Sequence, residues 1–169
     1  MGEPIRPPEH AVPYIDRTRE LYSQQSAYRW VVNDRQADPP SWTPIPKPLS
    51  ALRVSLIASG GVHLDDQEPF HFRNDTSIRE VPLETPADRL RVSHFGYDTR
   101  DAKQDTGCVL PFRAIRELAR EGVVGAVADP ALSFMGGIYS ARRVRDELAP
   151  ALLDFVLRQK ADLAYLVPA

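Results

Sequence analysis

The alternation of short apolar runs and amphipathic stretches up to Val167 restricts the fold most. "LRVSLIAS" (Leu52–Ser59) is β-branched and aliphatic and reads as a buried strand, with a second strand near Leu90–His94. "PFRAIRELAREG" reads as a helix: Pro111 opens it, Phe112, Ile115, Leu118 and Ala119 share one face, and Gly122 stops it. "VVGAVAD" (Val123–Asp129) follows as a strand. Ser140 can then cap a helix toward Lys160, in which Val144, Leu148, Ala151, Leu152 and Phe155 recur at three-and-four spacing. Pro150 lacks a backbone donor, so that helix is expected to kink or restart there. "DLAYLVP" closes the series as a strand. Strands separated by helices need crossover connections, which predicts an α/β fold with a three-layer, mostly parallel, doubly wound-like sheet.

The first fifty residues cannot join that pattern. They hold nine of the sixteen prolines, which fix φ and remove backbone donors. Residues 1–50 are read as a proline-rich arm with one short amphipathic helix between Tyr14 and Val32, and residues 51–169 as the α/β domain. A net charge of −2, with no arginine-rich face interleaved with aromatics, argues against nucleic acid as a partner. No apolar run approaches the ~20 residues that span a bilayer, so no membrane is expected. "MGEPIRPPEH" lacks an apolar h-region and reads as no secretory signal. Cys108 is the only cysteine, so neither a disulfide framework nor a cysteine-based zinc site is expected within the chain. A reducing, cytoplasmic setting fits these features.

Four stretches carry chemistry. In "SGGVHLDDQEPF", Gly60 and Gly61 after a strand let the backbone turn sharply and approach a ligand. His63 beside Asp65 and Asp66 reads either as a general acid or base whose pKa the carboxylates raise, or as part of a tight turn with a solvated acidic loop. "SHFGYDTRDAKQD" brings His94, Tyr97, Asp98, Asp101 and Asp105 past another strand. With His63 it resembles a two-histidine metal cluster in composition, but it has no fixed ligand spacing. The plainer alternative is a histidine packed at a strand end. Cys108 precedes the Pro111 helix, where the dipole would favour thiolate; flanked by Val109 and Leu110, it is expected to be a small buried hydrophobe. Arg142 and Arg143 sit at a helix start, against the macrodipole, either to bind an anionic group or as a solvated face. Phe134 and Met135 are expected in the core or an interface.

Several of these words occur together in one family. "WTPIPKPLS…RVSLIASGGVHLDDQEPF", "DTSIREVP", "VSHFGYD", the Asp105-to-Pro111 segment, "IRELAREGVVG" and "SFMGGI" resemble the selenoprotein B family of glycine, sarcosine and betaine reductases, with the related D-proline reductase. The resemblance runs from about Tyr28 to Ala169. It departs at Gly107-Cys108, where an asparagine is expected. It implies reductive C–N cleavage of an amino acid or related amine by a selenolate, a soft nucleophile ionised at neutral pH. In the family a strand like "DLAYLVPA" leads into the catalytic selenocysteine. The nucleophile is therefore expected just after Ala169, the α/β domain incomplete at its C-terminus, and the 169-residue chain inactive alone.

On this reading His63 or His94 handles the proton. Gly60 and Gly61 admit the substrate and Arg142 or Arg143 clamps its carboxylate. No metal and no cofactor are expected in the chain itself. Expected partners are a pyruvoyl-type or other reductase subunit, a thiol/disulfide electron donor and a second copy of the chain. Two rivals stand beside it: a non-catalytic α/β binding or assembly module, and a metal-dependent hydrolase built on His63, His94 and Asp98.

Overall fold

β1 (Arg53–Ala58) runs through the middle of the main sheet, buried along Val54–Ala58. The computed structural model describes residues 43–45 and 47–169. The expected arm helix between Tyr14 and Val32 lies outside the described residues. On one side of β1, all of β7 (Leu163–Val167) pairs in parallel with Val54–Ala58. On the other side lie two shorter parallel segments. β5 (Ala126–Val127) pairs with Arg53–Val54, and β6 (Ala131–Ser133) pairs with Ile57–Ala58. β3 (Arg79–Val81) flanks β6 antiparallel. The sheet is thus mostly parallel with one antiparallel edge, as the sequence predicts in class.

Differences from the sequence reading concern short elements. The strand expected over Val123–Asp129 is confined to Ala126–Val127. A bulge at Ala128–Pro130, with a cis peptide at Asp129-Pro130, separates it from β6. The strand expected near Leu90–His94 forms as β4 (Leu90–Val92), but it leaves the main sheet. It pairs antiparallel with β2 (Val62–Leu64) in a separate two-stranded ribbon.

Alternation along β1 sorts its side chains by face. Val54, Leu56 and Ala58 point into the core cluster with Phe112 and Ile115 of α2 (Phe112–Arg120); α1 is the short helix Arg100–Gln104. Pro111 precedes α2 and Gly122, at φ +74°, follows it, as its sequence predicts. Ser55 points the opposite way, where its hydroxyl donates to Gln159 Oε1 at 2.6 Å, just past the end of α4 (Ala149–Arg158). Helices on both faces make the three layers.

α4 shows how the chain handles Pro150. Ser140 caps α3 (Ala141–Arg143), its hydroxyl accepting from the Arg143 N–H at 3.3 Å. The next turn, Val144–Leu148, is π-helical, and α4 restarts with Pro150 in its first turn. A proline there removes a backbone donor and crowds the preceding turn, and a widened turn accommodates both. Leu148 is buried beneath this junction.

Candidate functional site

In parallel α/β sheets, ligands bind beyond the carboxyl ends of the strands. Here that rim is made by Ser59–Gly61 after β1, Phe134–Gly137 after β6 and Pro168–Ala169 after β7. Backbone bonds knit the three exits together. Ser59 N–H donates to Val167 O at 3.0 Å, Gly136 N–H to Ser59 O at 2.9 Å and Gly61 N–H to Phe134 O at 2.9 Å. The Ser59 hydroxyl accepts from Ala169 N–H at 2.9 Å. Gly61 has φ +71°, and a Cβ there would lie 2.2 Å from Ser93 O, so only glycine fits. At Gly60 an added Cβ would meet the Val109 Cβ at 2.7 Å.

The "SHFGYD" loop folds over this rim. Ser93 N–H donates to Gly61 O, and the Tyr97 hydroxyl donates to Gly60 O at 2.9 Å. Burial, with the Cys108 thiol nearby, pushes the Tyr97 phenol above its usual pKa. His94 packs on Tyr97 with ring centroids 4.6 Å apart and is 9% exposed. Its Nδ1 accepts from the Gly96 N–H at 2.9 Å, so the ring proton sits on Nε2. That Nε2–H is buried and has no hydrogen-bond partner among the described residues. Burial also lowers the His94 pKa, which keeps the ring neutral at pH 7. A buried, neutral donor without an acceptor is costly and calls for an explanation.

His63 is placed differently. It lies in β2, buried, with Nδ1 2.7 Å from Leu64 O and Nε2 2.9 Å from Ser93 Oγ. Both ring nitrogens are thus committed, and Ser93 joins its surroundings to the His94 loop. Asp65 and Asp66 do not serve His63. Arg89 grips both at 2.8 Å, and its hydrogen bond holds the Asp65 carboxyl below its usual range.

The metal-hydrolase alternative finds no ligand set: no three ligating side chains converge among the described residues. His63 is occupied as above. Asp98 is held by the Arg100 guanidinium through contacts of 2.8 and 2.5 Å.

Arg142 and Arg143 part company. Arg143 donates to Asn74 O at 2.6 Å, to Thr76 Oγ1 at 3.2 Å and to the Glu147 carboxylate at 2.7 Å. Its position against the macrodipole is thereby accounted for within the fold. Arg142 is exposed, with no side-chain hydrogen bond among the described residues.

Cys108 corrects its expectation: it is exposed. It ends a 3₁₀ turn (Thr106–Cys108) capped by Asp105, whose carboxylate accepts from Gly107 N–H at 2.8 Å. Val109 and Leu110 take the inward positions instead. Met135 is fully buried, as expected. Sequence reasoning missed Ser59 and Ser93, which hold the rim together. Ser59 had a signal in its place directly before the two glycines; Ser93 had none.

The comparisons with known proteins point one way. A family model described as glycine/sarcosine/betaine reductase selenoprotein B matches residues 35–156. The D-proline reductase subunit gamma of Acetoanaerobium sticklandii is 33% identical over 128 residues, covering 76% of this chain and 53% of that protein. The glycine reductase complex component B subunit gamma of Symbiobacterium thermophilum is 30% identical over 115 residues, 63% of this chain and 27% of its own length. The sarcosine reductase complex component B subunit beta of Peptoclostridium acidaminophilum is 30% identical over 118 residues, with 66% and 26% covered. The chain spans about half the length of the first relative and about a quarter of the other two. No solved structure matches it significantly.

Proposed function

Because this chain belongs to the glycine/sarcosine/betaine reductase selenoprotein B family, we propose that it is a component of a reductase that cleaves a C–N bond of an amino acid or related amine. The observation that carries this reading is the convergence of strand exits. β7 delivers Ala169 onto the Ser59 hydroxyl, at the rim that also holds Gly60, Gly61, Tyr97 and the unpartnered donor of His94.

A selenocysteine encoded directly after Ala169 would supply the soft nucleophile that displaces the amine, and a dithiol donor would supply the two electrons for release of the reduced product. The chain's own residues bind and orient. Gly60 and Gly61 shape the strand exit that the substrate meets, letting Val109 and Ser93 close in where side chains would stand. His94 offers its Nε2–H, which the fold buries without an acceptor among the described residues, to the leaving amine nitrogen or to a carboxylate oxygen once the loop over it opens. His63, with both nitrogens engaged, positions Ser93 and through it the Gly61 turn. Arg142 is the proposed carboxylate clamp, since Arg143 is spent on Asn74, Thr76 and Glu147. The names of the relatives support assembly with other reductase subunits, and a pyruvoyl-type subunit and a homo-oligomer belong to this proposal.

The test begins with the codon after Ala169, which should be UGA followed by a selenocysteine insertion element. The selenium-containing product, given a dithiol and its partner subunits, should release amine; His94→Ala should lower kcat by about 100-fold, in the range for loss of one preorganised hydrogen-bond donor. Amine turnover by the purified 169-residue chain alone would sink the proposal.

A further inference from the structure

We propose that the free edge of β7, with the apolar surface on both sides of it, seats a helix–strand–helix segment of the same polypeptide, continuous with Ala169. This rests on the reading above that the polypeptide runs on through its nucleophile. β7 reads "LAYLV", with no charge to discourage pairing, yet among the described strands it pairs with β1 alone. Natural edge strands are short, charged or covered. An all-apolar strand in a parallel sheet is ordinarily an interior one, paired on both edges and covered on both faces.

Among the described residues, both faces at β7 are open. On the α2 side, Leu163 and Tyr165 line a groove of about 280 Å³ with Leu49, Val54, Ile115 and Leu118. Its lining is almost wholly apolar, and Tyr165 is 48% exposed. On the α4 side, Leu166 is 65% exposed beside β7's outer edge. Leu153 and Leu157, one helical turn apart on α4, are 58% and 65% exposed.

The handedness of the fold says what fits there. The connection from β6 through α4 to β7 passes over β1 on the Ser55 face. A right-handed crossover continuing in the same direction puts its helix on that face again, against Leu153, Leu157 and Leu166. It then lays a parallel strand on the free edge of β7. Where the chain then reverses direction across the sheet, the same handedness puts the next helix on the opposite face, in the Leu163–Tyr165 groove. A second copy joined edge to edge adds a strand but brings no helix to that groove. Relatives about twice as long as the matched region have the chain length for such a unit.

The test compares the dilute 169-residue chain with a readthrough product in which cysteine is decoded after Ala169, by amide hydrogen exchange. The amides of Leu163–Val167 that face away from β1 should exchange at least ~100-fold more slowly in the longer product, with β1 slow in both. Leu157→Lys and Tyr165→Lys should undo that protection in the longer product, yet leave the 169-residue chain cooperatively folded. If the longer product fails to fold, the downstream segment co-expressed with the 169-residue chain should co-purify in equal amounts, and both substitutions should abolish this.

The proposal is overturned if the β7 amides that face away from β1 are already protected in the dilute 169-residue chain, if protection of the longer product depends on its concentration, or if a separate subunit is required. Absence of co-purification, or of any coding sequence after Ala169, overturns it too. Protection without C–N cleavage by the selenium form would sink the catalytic reading alone. Cleavage without protection would sink the docking alone.

Discussion

His94 shows how a single residue couples environment to acidity. Burial lowers its pKa, so below the ordinary value of 6.5 the unfolded chain binds a proton that the folded chain refuses. Stability therefore falls as pH drops from 6.5 toward the folded pKa and is independent of this group above 6.5. Thermal midpoints measured from pH 7.5 to 5 should decline in the native chain, and His94→Gln should flatten that decline. Gly61 is the least replaceable position on the rim. Gly61→Ala places a Cβ against Ser93 O at a positive φ and should destabilise by more than about 2 kcal/mol in urea unfolding. Cys108, exposed at the end of its 3₁₀ turn, should react with a maleimide stoichiometrically in native buffer. Loss of reactivity without denaturant would contradict its placement. The sequence could not show that exposure, because Val109 and Leu110 suggested burial and the turn points neighbours in different directions. Nor could it show the fate of His63, whose second nitrogen is satisfied by Ser93, thirty positions along the chain.

Among elements, legibility followed length and punctuation. α2 was readable because Pro111 and Gly122 bracket a repeating apolar face, and β7 because five apolar residues stand between Asp162 and Pro168. β2, β3 and β4 have three residues each, too few for a period to register. Their pairing is set by partners distant in sequence, as when the Ser133 hydroxyl accepts the Val62 N–H at 3.0 Å. The arginine at the start of the α3–α4 run is explained the same way. Arg143 fastens the Asn74–Thr76 loop to Glu147, four residues further on. Arg143→Met should loosen that loop and lower the thermal midpoint slightly, since the pair with Glu147 is partly exposed and the bond to Asn74 O is the better shielded. Faster amide exchange in residues 74–77 would localise the effect. Asp75, in the same loop, gives it a second anchor. Burial opposes its charge, but hydrogen bonds from Ser77 and from His71 N–H win, holding its carboxyl below the usual range. Its contribution is present above the unfolded carboxylate value near 3.8 and lost as pH falls through the lower folded one.

At the scale of the molecule, the described residues form a sheet whose chemistry gathers at one end and whose apolar surface is open along one edge. The first property fits a reductase component; the second predicts how the 169-residue chain behaves in isolation. It should self-associate at high concentration and bind a hydrophobic dye, and Leu157→Lys with Leu166→Lys should suppress both. Sedimentation as a clean monomer at every concentration would contradict this.

The bulge beside β1 carries a consequence for any engineering of this scaffold. Ala126 stands opposite Arg53, an offset of 126 − 53 = 73, whereas Leu132 stands opposite Ile57, an offset of 132 − 57 = 75. Two residues are thus looped out between β5 and β6. Because a strand's faces repeat every second residue, an even surplus leaves the inside–outside order intact. Trimming Ala128–Pro130 by one residue would therefore invert Leu132 and everything ahead of the next turn, including the approach of Phe134 and Met135 to the rim. Trimming by two would preserve it.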